Sequence, residues 1–171
     1  TLAGKGTTTN AWVPGALPFV GRDAELAALG RALDESQTRG TRVHLLSAPS
    51  GMGKSALVDQ LSRHASGLGA LVLRGRCHPH DALTSRGLDG VVDDLARFVA
   101  RSSAVTRAEV IAEPAPELRR MFPTLRDVIP QAGPEAVGVG SSKEERQVAL
   151  SSLSRIFARI ASLRALVVVV A

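Results

Sequence analysis

Ala48-Pro49-Ser50-Gly51-Met52-Gly53-Lys54-Ser55 is the stretch whose reading decides the fold. Its A-x-x-x-x-G-K-S spacing is that of a phosphate-binding loop whose first glycine is replaced by alanine. Each residue type has a physical reason to be there. Gly51 and Gly53 allow the tight turn that points backbone N–H groups inward, around a β-phosphate. The positive end of the helix that follows adds to the attraction. Lys54 reaches the β- and γ-phosphates as a point charge, and the Ser55 hydroxyl is a ligand for Mg²⁺. The expected ligand is a nucleoside triphosphate, ATP in the first place, with Mg²⁺. The motif alone recurs by chance. It gains weight from a strand just before it and a helix just after it.

Working outward, both neighbours are predicted. Residues 42–47 read as a short buried strand through Val43, Leu45 and Leu46. Residues 54–65 read as a helix with Leu57, Val58 and Leu61 on one face and Gly67 as its stop. A second strand is expected over 70–76. Strand, glycine loop, helix, strand is a βαβ unit, and it implies a parallel sheet. Upstream, residues 1–17 have the composition of a flexible linker, and Asp23 can N-cap a helix carrying Leu26, Leu29 and Leu33 up to Gly40. Downstream, residues 88–99 form an amphipathic helix with Leu88, Val91, Val92, Leu95 and Val99 inside. A shorter helix over 117–128 is interrupted by Pro123, and a Gly/Pro loop covers 130–140. Ser142-Lys143-Glu144-Glu145 is a capping-box signature that opens a helix to about Ser162, with Val148, Leu153, Ile156, Phe157 and Ile160 as its apolar positions. Leu166–Val170 is the third strand. The predicted class is α/β: a P-loop NTPase βαβ sandwich with a parallel sheet, truncated after the third strand.

The complementary half of an ATPase site is an acidic pair at the end of a later buried strand. Leu166–Val170 has the character of that strand, but the next residue is Ala171. Asp93 and Asp94 lie inside the amphipathic helix and read as structural. No catalytic residue is assigned. Cys77, His78, His80 and Asp81 are too compressed for ordinary zinc spacing and have no second ligand pair downstream, so no metal is expected there. His44 and His64 read as ordinary strand and helix positions.

Composition narrows the remaining classes. One Trp, four Phe and no Tyr leave the core to Leu, Val, Ile and Ala, and supply little for base stacking. The net charge of +5 comes from arginines spread along the chain rather than clustered, which argues for solvated helix faces rather than a nucleic-acid surface. A single cysteine excludes an internal disulfide and fits a reducing cytosol. No apolar run is long enough to span a bilayer. A cytoplasmic location is expected.

Phe19-Val20-Gly21-Arg22-Asp23-x-Glu25-Leu26, the glycine loop, and Leu73-Arg74-Gly75-Arg76-Cys77 together resemble the AAA-type, STAND-class ATPase domains of large bacterial multidomain regulators. Such domains occur in transcriptional activators and in serine/threonine kinases with helical repeats. The stretch from Gly87 to Leu95 is similar to the helix after the second strand in the kinase-linked branch. The resemblance covers residues 18–171 and implies that Val20, Gly21 and Arg22 lie near the adenine. It further implies an acidic motif, a sensor strand and a helical domain that this sequence does not include. The expectation is therefore the N-terminal part of a regulatory, signal-transducing ATP-binding module, inactive in hydrolysis by itself. Its partners would be the nucleotide and other domains of the same chain, with neither membrane nor direct nucleic-acid binding. A P-loop small-molecule kinase and a DNA-associated, origin-recognition-like ATPase are the alternatives.

Overall fold

The computed structural model describes residues 21–77, 86–131 and 143–171. The linker, Val20, Ser142, the histidines and aspartate of the 77–81 cluster, and nearly all of the Gly/Pro loop lie outside them.

The first helix, α1 (Asp23–Arg39), carries Asp23 and Glu25 in its first turn and Arg39 in its last, the charge order that a helix dipole favours. It buries Leu29 and Leu33 and ends at Gly40, whose φ of 80° is accessible to a residue without Cβ. Asp23 is not the N-cap: it is the first helical residue, and Arg22 occupies the cap position without a side-chain capping bond. The next helix, α2 (Lys54–Gly67), starts directly after Gly53 and buries Leu57, Ser62 and Ala65.

Two strands, β1 (Leu71–Gly75) and β2 (Leu166–Val170), pair in parallel from Leu71 opposite Leu166 to Gly75 opposite Val170. The pairing runs on past the strand ends: Leu71 N–H donates to Ala165 O at 2.8 Å and Cys77 N–H to Ala171 O at 2.7 Å. Strand groups alternate in direction, so the N–H of Arg74 points away from β2. There it meets the Asp94 carboxylate of α3 (Asp89–Arg101) at 2.9 Å.

Residues 42–47 are not a strand. Val43 is 90% and Leu45 92% exposed. Extended backbone becomes a strand only when its N–H and C=O groups find a neighbouring strand. Among the described residues β1 and β2 pair with each other, and the far edge of β1 is held by Asp94. The segment also does not pair with β2.

Two apolar clusters form on the sheet. The alternation of side chains sends Val72 and Val167 one way, into a small cluster with Leu33, Ala65 and Ala70 of the α1–α2 region. It sends Leu71, Leu73 and Leu166 the other way, into the main core with Val91, Val92, Leu95 and Val99 of α3. That core is completed by α4 (Ala104–Val110), α5 (Pro116–Met121) and α6 (Lys143–Leu163). On α6 the inward positions are Ala149, Ser152, Leu153, Ile156 and Ile160; Val148, expected inside, is 47% exposed because it stands off that stripe. Pro123 does interrupt the expected 117–128 helix, which splits into α5 and a 3₁₀ turn, Pro123–Leu125. Buried Arg119 spans the break by donating to the carbonyls of Arg126 and Ile129.

Glycines let α3 lie directly on β1. A Cβ on Gly90 would stand 2.7 Å from the Arg74 carbonyl oxygen, and one on Gly75 would overlap the Gly87 carbonyl. At the opposite end of the strands, Arg164 donates through its Nε to the carbonyl of Gly69 at 3.0 Å, joining positions 95 residues apart.

Candidate functional site

The glycine loop is suspended between residues 42–47 and α2. Gly51 (φ 81°) and Gly53 (φ 77°) both take left-handed backbone, and a Cβ at either would meet open space. Glycine is needed there for the backbone angle and not for lack of room. The arrangement leaves the N-terminus of a 14-residue helix open beside the loop. A helix start of this kind presents unpaired N–H groups and a positive dipole end, which favour an anion.

Lys54 is the first residue of α2, and its side chain folds back across the loop. Its Nζ donates to Ala48 O at 2.6 Å and to Pro49 O at 3.0 Å. The ammonium is thus held over the loop by neutral carbonyls, a position from which it can reach an anion seated there. Ser55, next in the helix, is exposed. Loop and glycines fit a polyphosphate: open space, freed N–H groups, one cation within the loop and one hydroxyl at its rim. The loop closes on itself where Met52 N–H donates to Pro49 O at 3.4 Å.

Two connections had no sign in the local sequence pattern. The Arg22 guanidinium donates through Nη2 to the Met52 carbonyl at 2.7 Å, and through Nη1 to Glu25 at 3.0 Å. The start of α1 is thereby tied to the loop. The Arg74 side chain of β1 pairs with Asp59 of α2 at 2.6 Å, which fastens the helix to the strand. Gly21 stands at φ 83° with open space around it. Of the residues that the resemblance puts near an adenine, Arg22 reaches the glycine loop, and Val20 lies outside the described residues.

Asp94 has a structural part, as its place inside α3 suggested. Cys77 is exposed. Among the described residues no group of three or more His, Cys, Asp or Glu could hold a metal ion, and no helix is long and apolar enough to cross a membrane.

A mixed α/β chain with parallel strands, and a lysine-bearing helix opened by left-handed glycines, falls in the class of P-loop-type nucleotide-binding proteins. The chain belongs to the AAA ATPase domain family, whose family model matches residues 18–170. Membership places it among ATP-binding ATPase modules, a family that generally uses ATP and Mg²⁺. Comparison with curated proteins finds no match, and neither does comparison with solved structures.

Proposed function

We propose that residues 48–55 are the triphosphate-binding loop of a regulatory, STAND-class ATP-binding module. The observation that carries this reading is Lys54, held across a glycine-turned loop by the carbonyls of Ala48 and Pro49. ATP with Mg²⁺ supplies the triphosphate charge to which this loop answers. Gly51 and Gly53 shape the backbone so that its N–H groups surround that charge. Lys54 exchanges two neutral acceptors for anionic oxygens, which make stronger, charge-assisted bonds. Ser55 offers its hydroxyl to the cation. No described residue is assigned to hydrolysis: Ala171, which follows β2, has no acidic side chain.

The finer fold reading is a sandwich with helices on both faces of the parallel sheet, supported by Leu33, Ala65 and Val72 clustering on one face while α3 to α6 cover the other.

Calorimetric titration of ATP and Mg²⁺ into the protein and its Lys54→Ala variant tests the function. Losing charge-assisted bonds worth about 3 kcal/mol should weaken binding about a hundredfold. Equal affinity of the two proteins would remove the loop from the nucleotide site.

A further inference from the structure

We propose that Arg22 is a positioning residue for the phosphate loop, acting on it through the carbonyl of Met52. The inference rests on the reading of residues 48–55 as a triphosphate site, and it adds a function that contact with a base would not give. Arg22 stands at the cap position of α1 and makes no capping bond. Its guanidinium instead spans 30 residues of sequence to the Met52 oxygen at 2.7 Å. Glu25, one turn into α1, holds the other side of the same guanidinium at 3.0 Å. The side chain is a strut with one end in a helix and the other in the loop.

The strut bears on a particular peptide. The Met52–Gly53 unit is planar and trans, so its C=O and N–H point in opposite directions. A carbonyl held toward Arg22 sends the Gly53 N–H the other way, away from α1. Gly53 has φ 77° and no Cβ, so this peptide can rotate at little steric cost. Rotated, it would present an oxygen where the loop needs a donor. Arg22 selects the donor-inward orientation before any anion arrives, and preorganisation of that kind raises affinity by removing a cost of binding. Arg22 therefore acts on the polyphosphate, whatever base is attached to it.

The test compares ATP with inorganic tripolyphosphate, which has no base, each titrated with Mg²⁺ into the wild-type, Arg22→Ala, Arg22→Lys and Lys54→Ala proteins. Arg22→Ala should weaken both ligands by the same factor, about tenfold for one charge-assisted bond. Its ligand-free melting temperature should change little, because both bonds lost are exposed. Arg22→Lys, which keeps a cationic donor of similar reach, should restore most of the affinity. In the ligand-free protein the Gly53 amide resonance should move in Arg22→Ala and return in Arg22→Lys. That measurement also decides the matter if the alanine variant folds poorly, because the lysine variant must then keep the wild-type resonance. An Arg22→Ala protein that loses ATP affinity but binds tripolyphosphate as wild type would overturn the proposal and place Arg22 on the nucleoside. Unchanged affinity for both ligands would overturn it too. If Lys54→Ala binds tripolyphosphate as well as wild type, the triphosphate site itself is wrong, and that failure is separate from any result at Arg22.

Discussion

The Asp94 carboxylate accepts the backbone N–H of Arg74 at 2.9 Å, so a side chain stands at the edge of β1 where a strand would otherwise add. Unpaired strand edges invite association with other chains, and proteins close them by such devices. The same carboxylate also pairs with Arg97 on its own helix, which fixes its direction.

Replacing Asp94 should show this. Asp94→Ala leaves the Arg74 N–H to water at an exposed strand edge and should cost about 0.5–1.5 kcal/mol, the net worth of one hydrogen bond. Asp94→Asn retains an acceptor oxygen and should recover about half of that loss, since the remaining bond is between neutral groups. Chemical denaturation of the three proteins measures both differences. An alanine variant as stable as wild type would mean that the edge is closed by something else.

Gly90→Ala should be more damaging than a helix propensity scale suggests. Alanine is the better helix former by about 1 kcal/mol. Here its methyl would stand 2.7 Å from the Arg74 carbonyl oxygen and 3.2 Å from the Gly75 Cα, both backbone atoms that cannot step aside. Overpacking of this kind costs about 1–3 kcal/mol, which outweighs the propensity gain and lowers the melting temperature by roughly 2–4 °C per net kcal/mol. Gly30→Ala in α1 is the control: a Cβ there meets nothing within 4 Å, so the protein should become slightly more stable.

The exposed segment before the loop makes a third test. With Val43 and Leu45 about nine-tenths exposed, the double change Val43→Lys and Leu45→Lys should alter stability by less than about 1 kcal/mol, the usual reach of two surface substitutions. It should also reduce self-association in sedimentation runs, because two exposed apolar side chains on a segment outside the sheet are an adhesive surface. A loss of several kcal/mol would show that the segment is a buried strand in solution, as its sequence suggests.

That last segment marks where sequence reading and structure part. Most of the helices were legible because each carries its own evidence; the seven-residue α4 (Ala104–Val110), too short to show an apolar period, was not read. The stripe Val91, Val92, Leu95, Val99 is periodic, and it is buried as read. The proline at 123 breaks a helix by a local steric rule. The glycine loop was legible for the same reason, since its spacing is contained in eight residues. Val43-His44-Leu45-Leu46 has strand composition, but composition cannot supply a neighbour, and a strand is a property of two segments. Contacts between distant residues were equally silent. Nothing near Arg22 names Met52 as its partner, and Asp59 gives no hint of Arg74. At Asp94 the sequence read a structural residue but did not reveal the strand edge that it closes.

The distance along the chain between the two strands has a consequence for the protein as it is made. Gly69 and Arg164, which flank the strands and bond to each other, are separated by 95 residues. At a translation rate of about 5–20 residues per second, β1 leaves the ribosome roughly 5–20 seconds before its partner exists. For that interval Leu73 and its neighbours are an apolar strand without a sheet. The next helix to emerge is α3, which brings Val91 and Leu95 to one face of β1 and Asp94 to its outer edge. The nascent strand is thus sheltered on one face and one edge by a neighbour that arrives early, and the edge left uncovered is the one that β2 later occupies.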